Sequence, residues 1–255
     1  MRLTGSLARW ESLLLLFLFG AFVYGSFASP YFLTASNISI AVAGAMPGAI
    51  VALPMTLIIV TGEIDISVGS IVGLCATTLA VCLEHGLSIK LAIVLNFVVG
   101  ILAGLFNGVV VAYGGLPSLV VTIGTLALYR GVAQIILEER GVSNFPDWYQ
   151  SMGFGTVGVT PIPWSLLIFA VFFIGFAVFL HRSYRGRALY AIGNNREAAR
   201  FSGINVKRVI VGVFTASGAM CSIAARTRPR SCGCSTRSKR KRRRPAMWRI
   251  PHILV

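Results

Sequence analysis

The chain has 255 residues, 56% of them hydrophobic and 12% charged, with a mean hydropathy of +0.79. Soluble domains carry about 25% charged residues, so a water-soluble enzyme or binding module is excluded. The net charge of +15 suggests nucleic-acid or anionic-lipid binding until its distribution is seen. Residues 226–255 hold 11 of the 23 Lys and Arg and no acid, leaving 12 basic against 8 acidic residues over the first 225. The excess belongs to one segment, and nucleic acid is not an expected partner.

Apolar blocks fall at about 12–28, 38–60, 66–84, 90–113, 117–137, 164–181 and 208–225. Each approaches the roughly 20 helical residues that cross a hydrocarbon core. The expected fold is all-α: a polytopic transmembrane helical bundle of about seven spans, forming a permease domain over 1–225. Arg2, Arg9 and the apolar run from Leu13 resemble a signal peptide, but no small-residue cleavage site follows, so a retained signal anchor is expected. Gly100, Gly104 and Gly108 share one helical face, a pattern that lets helices approach closely in lipid. Cys75, Cys82 and Cys221 sit in apolar stretches as small hydrophobes. Cys232-x-Cys234 has no second pair, so no metal site is expected. No catalytic arrangement of Ser, His, Cys or Asp has local support, and no cofactor is implied.

The positive-inside rule orients the bundle. Arg2 and Arg9 place the N-terminus in the cytoplasm, which puts the loop 138–163 outside and the loop 182–208 inside. The outer loop carries Glu138, Glu139 and Asp147; the inner one carries Arg182, Arg185, Arg187, Arg196, Arg200, Lys207 and Arg208. The same alternation puts the basic segment 226–255 on the wrong side. Either the last span fails to cross, leaving a cytoplasmic polybasic arm, or the segment is a non-native, disordered tail left by a frameshift or truncation. The composition break after Ala225 favours the second.

Two stretches break the apolar background. In Thr61–Ser70, Glu63 and Asp65 lie beside membrane spans, where carboxylates are costly unless paired, hydrated or lining a cavity. Glu63, Asp65 and Ser67 are therefore candidates for a translocation or gating path. A solvated turn, with Asp65 or Ser67 capping the next helix, accounts for them equally well. In Gly193–Ile204, Asn195 suits an N-cap, Glu197 the first turn and Gly203 the stop of a helix of about two turns. Ala198 and Ala199 give it a narrow face and Phe201 an anchor. It suits docking into a groove on another protein, or resting on lipid headgroups.

Three ordered segments carry a resemblance. Thr61-Gly-Glu-Ile-Asp-Ile-Ser-Val-Gly-Ser70, then Pro117–Thr125 with Tyr129-Arg130-Gly131, then Gly193-Asn-Asn-x-x-Ala-Ala-x-x-Ser-Gly-Ile204 resemble the signatures of ribose/arabinose/xylose-type ABC sugar-importer permeases. Glu63 is similar to the rhamnose-type subgroup. The resemblance implies a subunit in the bacterial inner membrane that moves a monosaccharide. Its partners would be an ABC ATPase subunit, a periplasmic sugar-binding protein, a second permease subunit and membrane lipid. Gly193, Asn194, Asn195, Glu197, Ala198, Ala199, Ser202 and Gly203 would then form the ATPase-coupling loop. ATP hydrolysis would lie with the partner, since the chain has no Gly-x-x-x-x-Gly-Lys-Ser/Thr loop. Such permeases continue after the coupling loop with further spans and a glycine-rich stretch. Nothing similar follows Ala225, so the permease domain reads as incomplete and this product is expected to transport poorly or not at all. The competing reading is a secondary transporter coupled to protons or cations through Glu63 or Asp65.

Overall fold

The computed structural model describes residues 7–137, 155–156 and 160–227. The basic segment from 228 onward, the acids of the 138–154 stretch, Cys232 and Cys234 lie outside the described residues. Nine helices occur among the described residues: α1 (Leu7–Ala28), α2 (Ala35–Val60), α3 (Val68–Glu84), α4 (Ile89–Gly114), α5 (Ser118–Leu137), α6 (Trp164–Arg182), α7 (Tyr184–Asn194), α8 (Arg196–Phe201) and α9 (Val206–Thr227). Five of them, α2, α4, α5, α6 and α9, are long and apolar enough to cross a membrane. The apolar part of α1 (Ser12–Ala28) and α3 are shorter, at the lower edge of what spans a bilayer. The seven apolar segments read from the sequence are thus seven helices of an all-helical, polytopic bundle.

Local chemistry sets the boundaries. Thr34 caps α2 by accepting from the Asn37 amide. Pro47 and Pro54 lie inside α2, where the lost amide bonds favour bending. Gly115 closes α4 at φ 66°, two residues ahead of Pro117. Ser183 breaks α6 from α7 in extended geometry and accepts from the Gly186 amide at 2.9 Å.

The centre of the bundle is α9. It packs along α4 and against α2 and α3, and it is the most enclosed of the membrane-length helices. The glycine face of α4 is the reason it can approach so closely. A Cβ on Gly100 would meet the carbonyl of Gly218 and Cβ of Ser222; one on Gly104 would meet the carbonyl of Phe214 and the backbone of Gly218; one on Gly108 would meet Val211 and Phe214. Asn96 of α4 donates to the Ser222 carbonyl at 3.1 Å, and Arg226 donates to the Ile93 carbonyl at 3.1 Å, so polar bonds close one end of the apolar seam. Around it pack Ile50, Ile71, Cys75, Met220 and Cys221 in one layer and Leu57, Ile58, Val213 and Phe214 in another. The periphery is apolar and bare. Phe17 is 78% and Phe27 89% exposed on α1, which suits a surface facing lipid or another subunit.

Candidate functional site

The end of the bundle that carries the basic loop is where the three motif segments meet. Helix α2 ends in a closed turn: the Gly62 amide bonds the Ile59 carbonyl at 2.9 Å and the Glu63 amide the Ile58 carbonyl at 3.1 Å. Gly62 sits at φ 76°, the left-handed position that this double-bonded helix stop requires. The turn aims Glu63 at the start of α8. Its Oε1 accepts from Arg196 Nη2 at 2.5 Å, and the same nitrogen lies 3.4 Å from the Thr61 carbonyl. The acid is buried (7% exposed) while the arginine is half exposed (48%). The cation also lies at the C-terminal end of α2, where the helix dipole favours it.

The second half of this loop is held by α5 and α4. Ser118 Oγ accepts from the Ile64 amide at 3.1 Å, and Thr122 donates to the Ile64 carbonyl at 3.4 Å. Asp65 Oδ1 accepts from the Ser67 amide at 2.9 Å and its hydroxyl at 2.6 Å. Ser67 Oγ in turn accepts from Asn107 Nδ2 of α4 at 2.7 Å. The Tyr129 hydroxyl of α5 lies 3.0 Å from both Asn107 Oδ1 and the Ala103 carbonyl, sharing its one proton. Asp65, Ser67, Asn107 and Tyr129 are all buried. Burial pushes the Asp65 carboxyl above its ordinary range, and the two bonds from Ser67 oppose that. Of the two candidate caps of α3, Asp65 supplies the side-chain bond. Ser67 occupies the N-cap position without a capping bond of its own.

The Gly193–Ile204 segment divides between two helices, a division its sequence did not announce. Gly193 and Asn194 finish α7 rather than starting the short helix. A Cβ on Gly193 would run into the carbonyl of Val60, so the glycine seats α7 on the end of α2. Asn195 is extended (φ −157°, ψ 111°) and its side chain accepts from the Ala198 amide at 3.0 Å, the cap expected of it. Glu197 lies in the first turn. Ala199 is buried while Ala198 is exposed, so the two alanines do not share a face. Ser202 donates back to the Ala198 carbonyl at 2.9 Å, and Gly203 stops the helix at φ 84°. Phe201 is 90% exposed. Beside it Arg196, Glu197, Arg200 and Lys207 line an open cleft, and Lys207 Nζ sits 5.0 Å over the ring of Tyr113. Asn195→Ala is expected to cost about 1 kcal/mol through the lost cap, read as faster amide exchange confined to 196–201.

Arg196, Ser118, Asn107 and Tyr129 belong to the same constellation but were not among the candidate site residues, although Ser118, Tyr129 and Arg196 fall within the motif segments. Asn107 carried a usable signal, an amide side chain within an apolar span. The partners of Arg196 and Ser118 lie 133 and 54 residues away, and no local pattern joins them.

Residues 37–227 match the family described as branched-chain amino acid transport system / permease component. The chain belongs to this permease family. Among curated relatives it is 36% identical over 222 residues to the autoinducer 2 import system permease protein LsrD of Enterobacter sp. (strain 638), covering 85% of this chain and 67% of that protein. The LsrD of Klebsiella pneumoniae is 35% identical over 222 residues, covering 85% and 66%. That of Salmonella typhimurium is 36% identical over 182 residues, covering 69% and 54%. The chain therefore spans between about half and two thirds of the length of these relatives. No solved structure matches. Family and fold together define a multi-pass transport component of the bacterial inner membrane, not itself an enzyme. The ribose/arabinose/xylose branch suggested by the motifs is not singled out by these matches.

Proposed function

We propose that the chain is the membrane-spanning permease subunit of a binding-protein-dependent ABC sugar importer, moving a small sugar with ATP hydrolysed by a partner subunit. The observation that carries this reading is the presentation of α8. A six-residue helix, capped at both ends, leaves Phe201 exposed while its first residue is tied to the end of α2. An exposed aromatic on a rigid short helix is a good anchor for a groove on another protein. Residues 193–204 are the ATPase-docking segment in this reading, and a periplasmic binding protein and a second permease subunit complete the assembly. The relatives are permeases for autoinducer 2 import, so that signal joins monosaccharides as a substrate to test.

The secondary-transporter reading needs a carboxylate free to exchange protons or cations with a cavity. Glu63 is engaged by Arg196 and Asp65 by Ser67, both buried, which favours the importer. The experiment is uptake of labelled pentoses, rhamnose and autoinducer 2 in cells expressing this chain in a complete permease frame, with and without a co-expressed ABC ATPase subunit of an importer of this family. Uptake is expected only with the ATPase. Uptake persisting without it, or driven by a proton gradient, overturns the reading. Phe201→Ala is expected to lose ATPase co-purification and uptake together while membrane insertion is retained.

A further inference from the structure

We propose that the Glu63–Arg196 pair is a mechanical joint: it transmits displacement of α8 into the α2–α3 turn, from which Asp65, Ser67, Asn107 and Tyr129 distribute it to α3, α4 and α5. The inference rests on reading α8 as the docking helix, and it names Glu63 and Arg196 as positioning residues rather than residues that touch the transported molecule.

Connectivity is the first argument. The chain leaves α8 in two directions, back through α7 to α6 and forward through Gly203 to α9. The forward route reaches α3 and α4 only through the packing of α9, and neither covalent route reaches α5 directly. The side-chain route reaches all three within one short turn. Arg196 is the first residue of α8 and bonds both Glu63 and the Thr61 carbonyl. Glu63 stands on a doubly bonded helix stop, so a pull on its carboxylate moves the turn and not only a rotamer. The next residue, Ile64, is gripped on both sides of its peptide by Ser118 and Thr122 of α5. Asp65 then holds Ser67 at the head of α3, Ser67 holds Asn107 of α4, and Asn107 holds Tyr129 of α5.

The second argument is energetic. A buried ion pair is a weak source of stability, because desolvation cancels most of its attraction, yet removing one partner is costly. Glu63 is buried and Arg196 half exposed, which suits an anchor fixed in the body and a lever at the surface. Packing already attaches the neighbouring α7, whose Gly193 sits against Val60. What the pair adds is direction, a short bond along which force passes.

The test uses the full chain in lipid nanodiscs and amide hydrogen exchange at residues 61–67 and 193–204. Without any partner, Arg196→Gln is expected to speed exchange of the Ile64 and Ser67 amides by about tenfold or more, the factor a charge-assisted bond carries in a local opening. Arg196→Lys should restore part of the protection, and the exchanged pair Glu63→Arg with Arg196→Glu most of it. With an ABC ATPase subunit of an importer of this family added, the wild type should slow at both segments. Glu63→Gln should slow at 193–204 and lose the response at 61–67. Unchanged exchange at 61–67 in Arg196→Gln overturns the joint, as does an undiminished response there in Glu63→Gln. A wild type that shows no slowing at 193–204 overturns the docking reading instead. The joint then stands if Arg196→Gln still loosens 61–67, and falls if it does not.

Discussion

Replacing Gly104 or Gly218 with alanine is expected to cost the protein its closed bundle. The two glycines face each other across α4 and α9, and each added methyl would meet backbone atoms of the opposite helix rather than a side chain that can swing aside. Overpacking a core by one methyl typically costs about 1–3 kcal/mol. A clash against backbone on a helix that packs on three others belongs at or above the top of that range. The readout is the loss of the monodisperse species on heating in mild detergent, expected at a much lower temperature in either variant. Gly212→Ala is the control: it lies on the same α9, a Cβ there would meet nothing within 4 Å, and its melting should match the wild type. Equal melting of Gly104→Ala and the wild type would mean that the α4–α9 seam is looser than described.

Asn107→Leu is expected to be nearly as damaging, for an electrostatic reason. The side chain is fully buried and serves two partners at once, donating to Ser67 and accepting from Tyr129. Leucine fills similar space but withdraws a donor from one hydroxyl and an acceptor from the other. Leaving buried polar groups short of partners costs about 1–3 kcal/mol. Ser67 keeps its bond to Asp65 and Tyr129 its contact with the Ala103 carbonyl, so the loss should fall inside that range. Tyr129→Phe alone should cost about 1 kcal/mol. The double variant should be less damaging than the two single losses combined, by about 0.5–1 kcal/mol, because they break the same bond. Strict additivity would mean that the two side chains act independently.

Hydrophobicity and capping chemistry were legible in the sequence because both are local. Each apolar block became a helix, with ends displaced by a few residues: α2 begins at Ala35 and α4 at Ile89. Asn195 and Gly203 bracket α8 as their residue types demand. The Gly100, Gly104 and Gly108 face is a close-packing face. What stayed hidden has two physical origins. Helix α7 was read as loop because its arginines make it polar on average, yet Leu189 and Ile192 bury against the bundle. The joining of Glu63 to Arg196, and of Ser67 to Asn107 and Tyr129, depends on helices that are neighbours in space and distant in sequence. The motif segments could be recognised singly. Their meeting point followed only from the packing.

The central place of α9 has a consequence for the order in which the molecule is made. The glycine face of α4 is synthesised roughly a hundred residues before the helix that covers it. At about 5–20 residues per second, that interval is on the order of ten seconds. Throughout it, Asn96 has no Ser222 carbonyl to bond and the face along Gly100–Gly108 lacks the helix that covers it. The early helices therefore lack their central packing partner until α9 arrives, so the bundle's core is completed last.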